Sequence, residues 1–286
     1  MKKLNKVCSY ITKYNRYKRY NNWTCHVLTQ LEKDFIRKGI CDEIVCSTSI
    51  SRNDVNPYRI YINTKKYQDI LTHIERVNSL KSKFYDTSII DKFVTKYNFR
   101  DQFELGYNFS TTGRIEKCKF YLCQDETFEI TNLTNSELGC VNDDIWFNII
   151  KLYENITNKY NAMLCLELQP DGDVFYKFYP HFVEEDINTL LSSNMLSNHL
   201  VEIITTAKEL NANSVTLSKI TGTIRADISF NKYSELIRFT ELLNTQVYMI
   251  ISKLYENIST GIAENCFKRI VSIWDEKDHE RFTVYI

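Results

Sequence analysis

The chain has 286 residues, of which 36 are Lys or Arg and 36 are Asp or Glu, so its formal net charge is zero. A neutral chain has no general attraction for nucleic acid or for an acidic membrane surface, and any electrostatic function must therefore be local. The length allows one large domain or two small ones, and the lack of a Pro-, Gly- or Ser-rich linker predicts a single domain over residues 1–286.

The N-terminus and the cysteines indicate where the protein works. Residues 1–20 are basic but contain no apolar segment of the signal-peptide kind, and no stretch reaches the roughly 18 apolar residues that a membrane helix needs. The nine cysteines are scattered, with no CxxC pair and no histidine at metal-ligand spacing. The sequence predicts a cytoplasmic protein with reduced thiols, no membrane partner, no nucleic-acid partner and no metal held by its own side chains.

The hydrophobic pattern repeats a unit of two strands followed by a helix. Two segments with alternating apolar residues come first, and a longer segment with apolar residues every three to four positions follows them. The strand pairs begin near residues 42, 103, 162, 213 and 266, and an additional helix is predicted near residues 26 to 38. The pattern predicts ten strands and four intervening helices in an α+β fold.

Local signals mark the ends of some of these elements. Asn142 or Asp143 is predicted to be the N-cap of the second intervening helix. That helix is predicted to bury one apolar face, formed by Ile145, Ile149, Leu152 and Ile156. The segment PDG at 170–172 predicts a hairpin turn in the third strand pair, and a helical region near residues 183 to 210 follows it.

The alternation in the strands assigns side chains to the two faces of the sheet. The apolar parity, for example Cys118, Phe120 and Leu122, is predicted to face the helices. The opposite parity carries basic residues and tyrosines from several strands. The basic residues are Arg59, Lys117, Lys119, Lys177, Arg225 and Arg281, and the tyrosines are Tyr61, Tyr121, Tyr179 and Tyr285.

Two architectures can place this polar parity. It is either the solvated side of an open sheet, where Lys, Arg and Tyr are common, or the lining of a closed barrel. Ten antiparallel strands in one open sheet leave two exposed edges, whereas closure removes both. We therefore predict a single closed barrel of ten antiparallel strands, surrounded by a ring of helices, with the polar parity in its lumen.

A lumen with six basic residues requires an anion or abundant water, because Glu43, Glu167 and Asp227 cannot balance that charge. A diphosphate meets this requirement, since Lys and Arg bind phosphate oxygens by charge-assisted hydrogen bonds. The four tyrosines suit the other half of an allylic diphosphate, because aromatic faces stabilise an allyl cation and exclude water from it. Glu43 is the candidate catalytic carboxylate, which accepts the proton of the nucleophile or orients it.

Four blocks of sequence, in order and spacing, resemble the αββα-barrel (ABBA) prenyltransferases, and among them the cyanobactin peptide prenyltransferases of the TruF/PatF/LynF kind. The blocks are CDEIVCSTSIS with YRIYI, LGYNFS followed by KCKFYL, QPDGDVFYKFYP, and ERFTVYI. The similarity extends from about residue 28 to the end of the chain. The fold that it implies is the PT barrel, which agrees with the alternation pattern.

The resemblance also implies roles for particular residues. Glu43 matches the family's carboxylate near the acceptor. The positions that match lumen residues holding the diphosphate or shielding the allyl group are Arg59, Lys119, Tyr179, Arg281 and Tyr285. The implied donor is dimethylallyl or geranyl diphosphate, and the implied cofactor is Mg2+ bound through the diphosphate rather than through a DDxxD motif, which the chain lacks.

The predicted function is transfer of an isoprenyl group to a side chain or terminus of a linear or cyclic ribosomal (RiPP) peptide, by a monomer. Because the sequence ends at strand ten, with Ile286, the rim of the barrel is expected to be open to a peptide. Two alternatives stay open: the same barrel acting on a small aromatic acceptor, and a silent barrel that binds a peptide or an anionic lipid without turnover. No GxGxxG, P-loop or GxSxG motif supports a nucleotide-binding or hydrolase function.

Overall fold

The structure is a computed structural model, and it describes most of the chain between residues 43 and 285. The described ranges are 43–51, 54–55, 59–64, 67–80, 85–97, 103–109, 115–123, 133–139, 143–156, 162–169, 171–220, 223–243, 248–249, 252, 269–273 and 281–285. The helix predicted near residues 26 to 38 lies outside these ranges. In the described part of the chain, no helix combines the length and the apolar character needed to cross a bilayer.

Twelve strands and six helices of eight or more residues are described. The strands are β1 Glu43–Ser51, β2 Asp54–Val55, β3 Arg59–Thr64, β4 Phe103–Phe109, β5 Ile115–Cys123, β6 Met163–Leu168, β7 Val174–Tyr179, β8 His181–Val183, β9 Ala212–Ile220, β10 Thr223–Phe230, β11 Arg269–Ile273 and β12 Arg281–Tyr285. The helices are α1 Tyr67–Leu80, α2 Ser88–Tyr97, α3 Asp144–Asn155, α4 Glu184–Ser192, α5 Asn198–Glu209 and α6 Tyr233–Leu243.

All strands belong to one antiparallel sheet. Its order is β7-β6-β5-β4-β3-β1-β12-β11-β10-β9-β8, and β2 pairs with β1 off this path. The two ends of the order, β7 and β8, are consecutive in the chain and are separated by Pro180 alone. The backbone N–H of Leu217 in β9 donates to the carbonyl oxygen of Pro180 at 2.9 Å. One stretch of backbone therefore pairs with β6 before Pro180 and with β9 after it.

The helices cover one face of the sheet, which we call the helix face. Its residues include Leu105, Phe120, Leu166 and Phe178, and they form one buried apolar cluster with residues of all six helices. Ring contacts connect the layers, for example Tyr67 of α1 with Phe120 of β5 at 6.2 Å between ring centroids. The predicted apolar parity of β5, β6 and β10 lies on this face and is buried or partly buried, which confirms the assignment of faces there.

Helix α3 shows how local sequence fixes the position of an element. The carboxylate of Asp143 accepts a hydrogen bond from the backbone N–H of Trp146 at 2.9 Å, which confirms Asp143 as the N-cap. The same carboxylate contacts Lys219 of β9 at 2.7 Å. Tyr153, at the other end of α3, packs against Phe178 of β7 and Phe182 of β8. Helix α3 is thereby attached to both sides of Pro180.

Several predicted elements need correction. The second strand of the third pair is two strands, β7 and β8, so this region has three strands where two were predicted. Pro180 divides them, because it lacks the N–H that a continuous ladder uses. The two-residue strand β2 was not predicted either. The predicted helical region at 183 to 210 is two helices, α4 and α5, the second of which begins at an N-cap formed by Ser197.

Helix α2 and the buried face of α3 also differ from the sequence prediction. Helix α2 was not predicted, although Ile90, Phe93 and Val94 are buried at helical spacing. In α3, Ile145 was predicted to be buried but is 56% exposed, whereas Trp146 is 1% exposed. Ile149 and Ile156 are buried as predicted, and Leu152 packs against the core. The indole N–H of Trp146 donates to the carbonyl of Leu138 at 2.7 Å, so Trp146 rather than Ile145 belongs to the buried side of the first turn.

Candidate functional site

The strand register brings the predicted site residues to the second face of the sheet, which we call the polar face. In an antiparallel pair, residues directly opposite each other project from the same face. Tyr61 lies opposite Gly106, Gly106 opposite Lys119, and Lys119 opposite Glu167. A second row connects Tyr121 to Cys165 and Cys165 to Lys177. A residue at even spacing from these along the same strand shares the polar face, so Lys117 and Tyr179 lie there too.

Three of the four predicted tyrosines form a buried cluster that is separate from the helix-face core. Tyr61, Tyr121 and Tyr179 are each at most 6% exposed and pack with Cys165 and Met163. The ring centroids are 5.9 Å apart for Tyr61 and Tyr121, and 6.0 Å apart for Tyr121 and Tyr179. We call this set the tyrosine cluster. Its rings are tilted relative to each other, so they present both faces and edges to their surroundings.

Gly106 makes room for the tyrosine cluster. A Cβ atom at this position would lie 3.0 Å from Cε1 of Tyr61 and 3.2 Å from Cε2 of Tyr121. A contact of 3.0 Å is tighter than most carbon–carbon contacts, so a larger residue would require one of the rings to shift by a few tenths of an ångström. The absence of a side chain at Gly106 therefore suits the close packing of these rings on the polar face.

Burial also sets the protonation of the groups beside these rings. It raises the pKa of Tyr179 well above its usual value. It raises the pKa of the Cys165 thiol to about 12, although Lys119 and Lys177 act in the opposite direction. Both groups are therefore neutral near pH 7. The tyrosine cluster is an apolar, uncharged region bordered by cations.

The cations next to the tyrosine cluster are three lysines that surround one carboxylate. Lys117 contacts Oε1 of Glu167 at 2.7 Å, Lys177 contacts Oε2 at 2.6 Å, and Lys119 contacts Oε2 at 3.4 Å. The side-chain amide of Gln169 also donates to Oε1, at 2.9 Å. We call Lys117, Lys119 and Lys177 the lysine cluster. All three were predicted to bind a diphosphate, and the structure brings them together.

The charge of the lysine cluster exceeds that of its carboxylate. Burial raises the pKa of Glu167, but the charges of Lys119 and Lys177 and the hydrogen bonds from Lys117 and Lys177 outweigh it, so this pKa lies well below its usual range. Glu167 is therefore ionised near pH 7. Taken by themselves, these four side chains, three ammonium groups and one carboxylate, carry a net positive charge. Such an arrangement suits an additional anion with two or more charges.

The predicted site residue Arg225 lies on β10 and is paired. Its guanidinium contacts the carboxylate of Asp227 through two hydrogen bonds, of 2.7 and 3.0 Å. Asp227 lies opposite Thr216, whose hydroxyl is 2.7 Å from Nδ1 of His181. Arg225 contributes to the electrostatics of Tyr179, which places this pair beside the tyrosine cluster. Arg225 and the lysine cluster thus lie on different strands around the same rings.

Four predicted residues are placed by the backbone only. The register puts Glu43 opposite Asn63, Arg59 opposite Asn108, Tyr285 opposite Ser47, and Arg281 opposite Ile273. All four positions belong to the polar face. Their side chains are outside the described part of the structure, and the roles assigned to them stay predictions.

Sequence analysis missed the central position of Glu167. It had assigned this residue to the polar face, but only as one of three carboxylates that could not balance the basic residues. The pattern of β6 alone carries no sign of this position, because Lys117, Lys119 and Lys177 lie on β5 and β7. Register across the 170–172 turn relates Glu167 to the strand of Lys177 only, and the separate register between β5 and β6 is needed to bring Lys117 and Lys119 to it.

The described residues offer no ready cation site. Among them, no three His, Cys, Asp or Glu side chains come together in a way that could hold a metal ion. Glu167 is occupied by ammonium groups, and ammonium groups repel a cation. Of the histidines in the described part of the chain, His181 contacts Thr216 rather than a second histidine. The donor groups described on the polar face therefore do not form a site for a protein-bound Mg2+.

Solved structures with a similar fold include prenyltransferases. The 5-dimethylallyltryptophan synthase from Streptomyces coelicolor is similar with a TM-score of 0.62 and 10% identity, over 99% of this chain and 95% of that chain. NotF prenyltransferase has a TM-score of 0.61 and 12% identity, over 85% of this chain and 79% of that chain. AnaPT from Neosartorya fischeri has a TM-score of 0.60 and 9% identity, over 85% of this chain and 77% of that chain.

Sequence comparison adds nothing to these structural likenesses: no protein-family model matches the chain, and no curated protein matches it. At identities of 9% to 12%, the structural likenesses establish the fold. The resemblance to ABBA prenyltransferases is confirmed at the level of the fold. Membership of the cyanobactin subfamily stays a prediction.

Proposed function

We propose that this protein is a prenyltransferase that moves a dimethylallyl group from its diphosphate to a small aromatic acceptor. The observation that carries the proposal is that two clusters are neighbours on the polar face, where Lys177 lies directly opposite Cys165 in the strand register. The lysine cluster supplies excess positive charge, and the tyrosine cluster supplies aromatic rings next to it. An allylic diphosphate has the complementary parts in the same order, an anionic head and a short hydrocarbon group that becomes a cation.

The first step is ionisation of the donor. The bond between C1 of the allyl group and the diphosphate oxygen breaks, and the diphosphate leaves with the electron pair. The lysine cluster stabilises the negative charge that develops on the leaving group. We assign the same role to Arg59, Arg225 and Arg281, which occupy positions on the same face.

The second step is capture of the allyl cation by the acceptor. The rings of the tyrosine cluster stabilise this cation through their faces, and their close packing excludes the water that would consume it. A carbon atom of the acceptor ring then forms a bond to the allyl carbon. The proton lost from that ring atom goes to a base, for which Glu43 is our candidate. Tyr285 is our candidate for a fourth ring that shields the allyl cation.

The packing of the tyrosine cluster favours a five-carbon donor over a ten-carbon one. The space over Gly106 is filled by the rings of Tyr61 and Tyr121. Each of these rings is buried, as is Cys165 beside them. A geranyl chain would therefore need one of the rings to move.

Closure of the sheet is part of the proposal. The backbone on either side of Pro180 pairs with β6 and with β9, and α3 packs through Tyr153 across the same junction. If β7 and β8 are counted as one strand and β2 is left out, ten strands form a closed ring, and the polar face becomes a lumen. The whole chain, residues 1–286, is then one domain.

The acceptor is assigned from the fold neighbours. One of them is named a dimethylallyltryptophan synthase, and a second NotF structure is a complex with brevianamide F and DMSPP. These names favour an aromatic acceptor over the ribosomal peptide predicted from sequence. We propose no protein side chain as a ligand of Mg2+. A Mg2+ ion that assists the reaction would be bound by phosphate oxygens and water.

Mass spectrometry tests the proposal directly. The protein is incubated with dimethylallyl or geranyl diphosphate and with a panel that contains tryptophan, indole, tyrosine, and linear and cyclic peptides with and without aromatic residues. The proposal predicts a gain of one dimethylallyl group on an aromatic small molecule. Modification of peptides alone would support the peptide prenyltransferase predicted from sequence instead. Donor binding without any product would indicate a silent barrel.

A further inference from the structure

The carboxylate of Glu167 occupies the centre of the lysine cluster. Glu167 lies on β6, the strand between β5 and β7, and Lys119 is directly opposite it in the register. Lys117 and Lys119 reach it from β5, and Lys177 reaches it from β7. Its side chain is only 4% exposed, so solvent does not replace these contacts.

The contacts divide between the two carboxylate oxygens. Oε1 accepts from Lys117 and Gln169, and Oε2 accepts from Lys177 and is near Lys119. Two adjacent anionic oxygens of a carboxylate resemble two oxygens of one phosphate group in charge and spacing. Ammonium groups that converge on a carboxylate are therefore also oriented to bind a phosphate group.

The three ammonium groups would not stay together without this anion. Like charges at such distances repel, and a lysine side chain loses much rotamer freedom when it is fixed. The side chain of Lys117 is 41% exposed and would turn to water, whereas that of Lys119 is 11% exposed and cannot. Before any donor binds, Glu167 therefore offsets the repulsion among the three ammonium groups and the rotamer freedom that they lose.

We infer that Glu167 is a positioning residue for the donor: its carboxylate stands in for a phosphate group, holds the lysine cluster assembled, and shares those ammonium groups with the diphosphate when it binds. This inference rests on the proposed use of a diphosphate donor. It goes beyond the lysines themselves, because it assigns a role in anion binding to an anionic side chain.

The inference has an unusual consequence for charge. Replacing Glu167 with Gln adds one positive charge to the site, and simple attraction would then strengthen binding of an anion. A positioning role predicts the opposite result, because the lysine cluster is dispersed. The sign of the change in affinity separates the two possibilities.

The test is calorimetric titration of the full-length protein with inorganic diphosphate at fixed ionic strength. We expect Glu167→Gln to weaken binding about tenfold or more, an effect of the size seen when a charge-assisted contact is lost. Glu167→Asp keeps the charge but is one methylene shorter, and we expect an intermediate loss. If the Gln variant does not fold, as judged by its circular dichroism and melting curve, the Asp variant decides.

Glu154→Gln is the matched control. It makes the same change of charge on α3, on the helix side of the sheet, where Glu154 pairs with Lys151 at 2.9 Å. We expect its affinity to stay within about twofold of wild type, as is usual for a charge outside the binding contacts. In the transfer reaction, Glu167→Asp should raise KM for the donor and leave KM for the acceptor unchanged.

The outcomes are distinguishable. Binding by Glu167→Gln that equals or exceeds wild type would overturn the inference and make Glu167 a competitor of the donor, with the proposed function intact. Failure of the wild-type protein to bind diphosphate would overturn the proposed function and the inference together. An equal loss in Glu154→Gln would show that the effect is general electrostatics, and would also overturn the positioning role.

Discussion

The two faces of the sheet are built from the same strands but by different rules. On the helix face, residues such as Phe120 and Leu166 are buried because apolar area leaves water, and many apolar side chains of similar size would serve there. On the polar face, Lys119 and Glu167 are buried, which is costly unless each charge has partners. Because this burial costs free energy and lies on the face away from the helices, we propose the polar face as the functional one.

Replacing Lys119 should have the largest effect and should be confined to the polar face. Lys119→Met removes a buried ammonium group, and we expect affinity for dimethylallyl diphosphate to fall about tenfold to a hundredfold, since hydrogen bonds to charged groups contribute roughly 1.5–3 kcal/mol. Lys96→Met is the matched control, because Lys96 belongs to α2 and pairs with Glu137 on the helix side. A similar loss in both variants would show that the two faces do not differ in this way.

Replacing a ring of the tyrosine cluster should slow transfer with a smaller effect on donor affinity. Tyr121→Leu keeps an apolar side chain but removes the aromatic face, and we expect kcat to fall about tenfold, in line with roughly 1–2 kcal/mol for a desolvated cation–π contact. Tyr121→Phe keeps the ring and should retain most of the rate. Equal rates for the Leu and Phe variants would remove the proposed cation-stabilising role.

Filling the space at Gly106 tests the packing of the polar face. Gly106→Ala places a methyl group about 3.0 Å from the ring of Tyr61, and we expect the free energy of unfolding to fall by about 1–3 kcal/mol, as overpacking usually costs. Urea denaturation measures this change. Combining it with Tyr61→Leu should recover part of the loss, and purely additive effects would show that the two residues are not in contact.

Removing the cap of α3 should affect stability only. Asp143→Ala deletes the N-cap hydrogen bond to Trp146 and the ion pair with Lys219, and we expect a loss of about 1–2 kcal/mol in thermal or urea unfolding. Donor affinity below the unfolding transition should be unchanged, since these contacts lie on the helix side. Weaker donor binding in this variant would show that the contacts of α3 on the helix side influence donor affinity on the polar face.

Removal of divalent cations should have the smallest effect. Because the positive charge facing the donor comes from the lysine cluster, we expect donor binding to change by no more than about twofold when EDTA replaces Mg2+. Titration in both buffers provides the measurement. A large loss with EDTA would assign the neutralisation of the diphosphate to Mg2+ instead of to the lysines.

What sequence could predict differs between the two faces. Period-two alternation assigned Tyr61, Tyr121 and Tyr179 to one face correctly, because alternation needs no knowledge of neighbouring strands. The buried side of a helix was predicted less well. Ile145 was predicted to be buried, because the apolar pattern contains no information on the hydrogen bond from the Trp146 indole to Leu138. The place of Glu167 depends on the register of three strands at once, which no single segment encodes.

The measurement that tests the central claim most directly is a phosphorus-31 NMR titration of dimethylallyl diphosphate with the wild-type protein and with Lys119→Met. If the polar face is a diphosphate site, both phosphorus signals will shift or broaden with wild-type protein at concentrations where the variant leaves them unchanged. Equal perturbation by the two proteins would mean that the diphosphate binds elsewhere, and no perturbation by either would mean that the lysine cluster is only an internal ion-pair network.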